Sequence, residues 1–308
     1  MRAAFVRTLL EAAEADPRIL LLTGDLGYSV LEPFAERFPG RFFNVGVAEQ
    51  NMVGVATGLA EAGFIPFVYS IVTFATLRPY EFIRNGPVSH QLPVRIVGVG
   101  GGFEYGPAGP THYGLEDIAV MRVQPGITCL APADHEQASA AIRATWNLPG
   151  PVYYRLGKDD RTVIPGLGGR FSLGRAERIG DGKDVVFIAT GAIAMEATAA
   201  AEELSRQGIG CAVLVVASLT PPPTLDLVDA LTGIPLAVTV EAHYVNGGIG
   251  SLVAETIAEH RLGCRLVRRG VGRLTGPFGS QEFMQRQHGL SRESLVSATL
   301  RALEAVAR

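Results

Sequence analysis

Five short segments carry side chains able to move protons, stack on a ring or hold an anion. In Asn44-Val45-Gly46-Val47-Ala48-Glu49-Gln50-Asn51-Met52, one carboxylate stands in the first turn of an otherwise apolar, Gly/Ala-rich helix. Alone, Glu49 would read as an acid complementing the helix dipole. Gly109-Pro110-Thr111-His112, followed by Leu115-Glu116-Asp117, sets an imidazole in a Gly/Pro loop. A lone histidine there is more often structural than proton-transferring. Thr23-Gly24-Asp25-Leu26-Gly27-Tyr28-Ser29 offers Asp25 and Ser29 in what is otherwise a plain strand-to-helix turn. Tyr69-Ser70-Ile71-Val72-Thr73-Phe74, running on to Arg78-Pro79-Tyr80-Glu81, supplies Phe74, a ring for a flat heterocycle or for the core. Arg155-Leu156-Gly157-Lys158 brings two cations to the end of a strand, suited to an anion or to solvent.

The string around Glu49 resembles the Gly-Ile/Val-Ala/Arg-Glu-Gln/His motif of thiamine-diphosphate (ThDP) enzymes of the transketolase family. The resemblance implies that the Glu49 carboxylate hydrogen-bonds a ring nitrogen of the cofactor's aminopyrimidine. That contact favours the imino tautomer, which takes a proton from the thiazolium carbon; the protein positions the cofactor and tunes a proton. The Gly109-to-His112 string is shared with transketolases and deoxyxylulose-phosphate synthases, which implies that His112 faces substrate oxygens. By the same resemblance Asp25 lies beside the cofactor, Ser29 and Lys158 reach a substrate phosphate with Arg155 as the first member of the cation pair, and Phe74 stacks on the pyrimidine. Glu49 and His112 are thus the expected catalytic pair. Asp25, Glu49 and Phe74 are the expected cofactor contacts, and Ser29, His112, Arg155 and Lys158 the substrate contacts.

The elements that must hold these groups follow from periodicity and punctuation. Phe5, Val6, Leu9, Leu10 and Ala13 recur at helical spacing over 2–15, and Pro17 ends that helix. Short apolar runs predict strands at Ile19–Leu22, Phe64–Tyr69, Val94–Val99, Ile127–Leu130 and Pro151–Arg155. Helices are expected over 47–62, closed by Gly63, and over 75–85 and 134–147. A Gly-, Asp-, Lys- and Arg-rich stretch over 158–183 breaks the pattern. Beyond it come strands Asp184–Ala189, Cys211–Val216, Leu236–Val240 and Cys264–Val267, with helices over 192–207, 223–231, 247–260 and 292–307. The expected fold is α/β in two domains, each a mostly parallel sheet with helices on both faces. We place a pyrimidine-binding (ThDP) domain at 1–165, a linker at 166–183 and a transketolase C-terminal domain at 184–308. Gly247-Gly248-Ile249-Gly250-Ser251 lacks the full dinucleotide fingerprint, so its glycines read as helix N-terminal packing.

The chain has 308 residues, 47% hydrophobic and 19% charged, enough for two packed cores. A net charge of −3 shows no basic excess and gives no reason to expect nucleic acid. Cys129, Cys211 and Cys264 form neither a disulfide framework nor a metal spacing, so they read as small hydrophobes in a reducing compartment. Glu11, Glu14 and Asp16 interrupt any signal-peptide core, and no apolar stretch is long enough to span a bilayer. A soluble cytoplasmic protein with no metal ligands of its own is the expectation.

The family holds the diphosphate and a divalent metal through a Gly-Asp-Gly…Asn motif in a separate N-terminal domain. Gly180-Asp181-Gly182 has those letters but no Asn at the required distance. The resemblance therefore implies a split enzyme. An N-terminal-half subunit would supply the Mg2+ (or Ca2+) and diphosphate contacts, as an α2β2 heterotetramer. Two departures touch the substrate. Pro107-Ala108 stand where sugar-phosphate transketolases read Glu-Asp, and Gly100 or Gly101 where many have a His. Ketol transfer from a phosphorylated ketose to an aldehyde is the leading expectation. A deoxyxylulose-phosphate-synthase-like reaction, a 2-oxoacid dehydrogenase β subunit and a non-catalytic partner of a ThDP subunit are the alternatives.

Overall fold

Buried apolar runs build two sheets in the computed structural model, which describes residues 1–306. The first contains β1 (Ile19–Thr23), β2 (Phe42–Asn44), β3 (Ile65–Ile71), β4 (Arg95–Val99), β5 (Thr128–Leu130) and β6 (Val152–Leu156). Every residue of β1, β4 and β6 is buried, the signature of a sheet covered on both faces. The second contains β7 (Glu177–Ile179), β8 (Val185–Ala189), β9 (Cys211–Val215), β11 (Leu236–Tyr244) and β12 (Arg265–Val271). β10 (Ser218–Thr220) leaves the second unit and pairs antiparallel with β5. The orders are β10-β5-β6-β4-β3-β1-β2 and β12-β11-β8-β9-β7. Apart from β10, and β7 on β9, all pairs are parallel. The expected two-domain α/β architecture is what is found.

The helices follow the amphipathic segments. α1 (Arg2–Ala15) and α7 (His135–Thr145) cover one face of the first sheet, where Phe5 and Leu9 share a core with Ala138 and Ile142. α3 (Glu49–Glu61) covers the other. It closes as expected at Gly63 (φ 93°), where Phe64 N–H reaches Leu59 O and Gly63 N–H reaches Ala60 O, a Schellman closure. The core on this side continues into the second unit, uniting Val53, Ile96 and Cys129 with Val186, Ile188 and Leu227. In that unit α8 (Ala194–Arg206) and α12 (Arg292–Val306) pack on one face, while α9 (Thr224–Leu231) and α10 (Ile249–Glu259) lie together on the other. Residue 307, the expected end of the last helix, lies outside the described residues.

Two expectations need correction, and several elements were not foreseen. The helix over 75–85 is broken into α4 (Val72–Thr76) and α5 (Tyr80–Ile83), followed by a wide turn over Arg84–Val88. Pro79 lies between the two pieces and has no N–H to carry a helix through. The segment read as linker, 166–183, contains β7 and Leu167, which is buried in the second core together with the adjoining Ile164. α2 (Glu32–Arg37), β2, α6 (Asp117–Arg122), β10 and α11 (Gln281–Gln287) were not anticipated. No described helix is long and apolar enough to cross a membrane.

Candidate functional site

β1 connects through α2 to β2 on one side, and β2 connects through α3 to β3 on the other, so the loops after β1 and β3 diverge. The crevice outside such carboxyl ends is where open α/β sheets place ligands. Glu49 opens α3 there and is buried. Ser70, near the end of β3, donates its hydroxyl to Glu49 Oε1 at 3.0 Å, and Arg78 Nη1 donates to Oε2 at 2.9 Å. From the other loop, a Cβ on Gly24 would stand 3.1 Å from Oε1, so a glycine keeps that side clear. The carboxylate thus turns inward and caps nothing.

Arg78 lies over the Phe74 ring, its guanidinium carbon 3.9 Å from the centroid. Phe74 in turn meets His112 edge-on, with centroids 5.2 Å apart. Phe74 is half-buried, with the Arg78 guanidinium over its ring and the imidazole at its edge. His112 Nδ1 is 2.9 Å from the Thr111 hydroxyl, and Tyr105 lies 5.7 Å away on another side. Glu49, Phe74 and His112, chosen from three separate segments, are therefore joined in one cluster through Arg78.

Asp25 and Ser29 lie on the β1 loop, both with positive φ (58° and 61°), a strained conformation for non-glycine residues. Asn44 holds the loop: its side chain accepts from the N–H of Asp25 and Gly46 and donates to Asp25 Oδ1 at 2.9 Å. The Asn44 and Tyr28 hydrogen bonds hold the exposed Asp25 carboxyl below its usual range. Ser29 is exposed, and its N–H donates to Glu32 Oε1 at 2.7 Å.

Lys158 is half-buried, its ammonium 4.3 Å from the centroid of Tyr105, the same ring that flanks His112. Burial, with Arg2 nearby, pushes the Lys158 ammonium down from its usual range. Arg2 Nε donates to Lys158 O at 3.3 Å, giving a second cation that sequence reading missed. Its only signal was a place at the start of an amphipathic helix.

Arg155 is corrected. It was expected beside the substrate, but it is enclosed between the two units. Nε donates to Asp117 Oδ2 at 2.8 Å, and Nη2 donates to Gly114 O and Ala242 O, both at 2.9 Å. A Cβ on Gly101 would collide with its guanidinium at 2.5 Å. Arg155 is a structural cation, and Lys158 is the accessible member of the pair. A cavity of about 450 Å3 between the units is lined by Lys158, Glu104 and Gln285 but by neither Glu49 nor His112.

Comparison with known proteins covers most of the chain. Residues 1–162 match the family described as transketolase, pyrimidine binding domain, and residues 174–295 match transketolase, C-terminal domain. The chain is 37% identical over 299 residues to a 6-deoxy-6-sulfo-D-fructose transketolase subunit of Clostridium sp. (strain MSTE9), covering 97% of this chain and 92% of that one. It is 34% identical over 304 residues to an apulose-4-phosphate transketolase subunit of Phocaeicola vulgatus, covering 97% and 96%. Among solved structures, a split gene transketolase described as an inactive beta4 tetramer superposes with a TM-score of 0.89 at 36% identity, covering 98% of each chain.

Proposed function

The chain belongs to the transketolase family, and on that premise we propose that it is the C-terminal-half subunit of a ThDP-dependent transferase. It moves a two-carbon ketol unit from a phosphorylated or similarly anionic ketose to an aldehyde, and does so only with an N-terminal-half subunit, as an α2β2 heterotetramer. The observation that carries the reading is the Glu49–Arg78–Phe74–His112 cluster at the carboxyl ends of β1 and β3.

The residues fit the cofactor's aminopyrimidine. A buried carboxylate, a half-buried aromatic ring beside it and a glycine that leaves room beside Oε1 are what a flat, proton-sharing heterocycle requires. Bound ThDP would supply the thiazolium carbon that takes up the ketol unit. Glu49 would share a proton with the pyrimidine ring nitrogen, Phe74 would pack against the ring, and Asp25 would border it. His112 moves a proton at the substrate oxygens. Ser29 and Lys158, with Arg2 beside Lys158, attract the anionic end of the ketose. Two relatives are each named for a ketose bearing a sulfo or phosphate group, which favours such a donor. Mg2+ or Ca2+ and the diphosphate would be held mainly by the partner subunit.

The test mixes this chain with a candidate N-terminal-half subunit, ThDP and Mg2+, with hydroxypyruvate as donor and a panel of aldehydes, beside Glu49→Ala. Two-carbon transfer that needs both subunits and vanishes in the variant is expected. Turnover by this chain alone would overturn the split reading, and pyruvate decarboxylation in place of transfer would move the assignment to a synthase.

A further inference from the structure

The loop that carries His112 is closed on itself and seated on the second unit. Gly101 and Gly102 bridge to Gly114 at its base. Inside it, the Tyr113 hydroxyl donates to Gly106 O at 2.7 Å. Tyr113 and Phe103 are buried and meet edge-to-face at 5.1 Å. This pair does not end within the first unit. Phe103 stacks on His288, centroids 5.2 Å apart and planes 14° apart, and Tyr113 meets Phe278 at 6.0 Å. Gly106 comes so close to the start of α11 that a Cβ there would stand 3.1 Å from Gly279 O. Both supports, Phe278 and His288, belong to the segment around α11, which carries none of the chemistry assigned above.

We propose that the C-terminal unit positions His112: Phe278 and His288 hold the Tyr113–Phe103 pair, and that pair fixes the loop from which the imidazole projects. The catalytic consequence rests on the two-carbon-transfer reading; the structural half does not. His288 acts here as a flat surface, because its Nε2 is buried without a hydrogen-bond partner. A phenyl ring should therefore replace it. His288 and Phe278 are positioning residues, since neither reaches the Glu49 cluster except through Tyr113 and Phe103. Displacement of a catalytic group by even a small distance is costly to turnover.

The experiment is hydrogen–deuterium exchange on the full chain without partner or cofactor, following peptides over 104–113. Wild type is compared with His288→Ala, His288→Phe and Phe278→Ala. His288→Ala should exchange these amides about tenfold faster, the consequence of losing one aromatic pair of ordinary strength, and His288→Phe should restore wild-type protection. Phe278 is 48% exposed, so its truncation keeps the test open if His288→Ala fails to fold. With the N-terminal-half subunit added, kcat should fall about tenfold in His288→Ala with KM for the aldehyde held, and recover in His288→Phe. Unchanged exchange over 104–113 in both alanine variants overturns the proposal, whatever the activity. Faster exchange in the variants of a chain that never transfers two carbons would sink the functional reading alone and leave the positioning intact.

Discussion

Arg78 Nη1 stands 2.9 Å from Glu49 Oε2 while its guanidinium covers Phe74, so one side chain ties the candidate proton-handling carboxylate to the candidate stacking ring. The Glu49 side chain is 1% exposed and that of Arg78 43%, so the pair is buried on one side and wet on the other. Arg78→Leu leaves the buried Oε2 without its donor, and its wet side lets water make up part of the loss, so a cost of about 1–3 kcal/mol in unfolding free energy is expected. Glu49→Gln keeps the shape and both hydrogen-bonding positions but loses the carboxylate. Two-carbon transfer should fall by roughly 10²–10⁴ with the thermal midpoint nearly unmoved. A variant that keeps wild-type kcat would remove Glu49 from the chemistry.

Ser70 offers a stability test of the same site. Its side chain is buried, and its hydroxyl donates to Glu49 Oε1. Ser70→Ala leaves that oxygen without its partner inside the fold. A loss of about 1–3 kcal/mol in urea unfolding is expected. No loss would mean that water or Arg78 takes over the vacated position.

The two cations at the end of β6 should separate cleanly. Arg155→Met strips Asp117 of its buried partner and should cost about 3–5 kcal/mol of stability, since an unpaired buried charge remains. Lys158→Met should leave stability nearly unchanged. Instead it should raise KM for a phosphorylated ketose roughly ten- to hundredfold, and leave hydroxypyruvate, which has no phosphate, unaffected. Equal effects on both donors would place the phosphate elsewhere.

Those two residues also show where the sequence stops being legible. The apolar runs at Ile19–Leu22 and Val94–Val99 announce their strands because each is long enough to be buried alone, and Gly63 announces its helix end through a conformation that glycine adopts most easily. Glu49, Phe74 and His112 were each singled out from a local string. Their connection was not, because Arg78 reaches Glu49 only after the chain breaks between α4 and α5. Arg155 looked like Lys158 in the string. What distinguishes it is Asp117 and Ala242, 38 and 87 residues away, which no local pattern reveals. β7 and β10 are three residues each and owe their existence to the strands they join.

Glu241 predicts a pH dependence in the second unit. Its side chain is fully buried, and its carboxylate accepts the N–H of Ile249 at 2.9 Å and of Gly250 at 3.0 Å, at the N-terminus of α10. A Cβ on Gly248 would overlap it at 1.9 Å, so the glycines near 247–250 serve packing, as the missing dinucleotide fingerprint suggested. Burial pushes the Glu241 carboxyl up from 4.5 to about 7, against the pull of those two N–H donors. The native chain then binds this proton more tightly than the unfolded chain. Its contribution is fully present below pH 4.5 and is lost as pH rises through about 7. Neighbouring His243 acts in the opposite sense: burial lowers its pKa, so its contribution grows as pH rises through the ordinary histidine range. Total stability therefore hides both. The difference between wild type and Glu241→Gln isolates the carboxyl, and should fall by up to about 3 kcal/mol between about pH 4.5 and pH 7.5 in urea unfolding. Parallel stability curves for the two proteins would mean that the α10 N–H groups offset the burial and that Glu241 is already a settled anion at low pH.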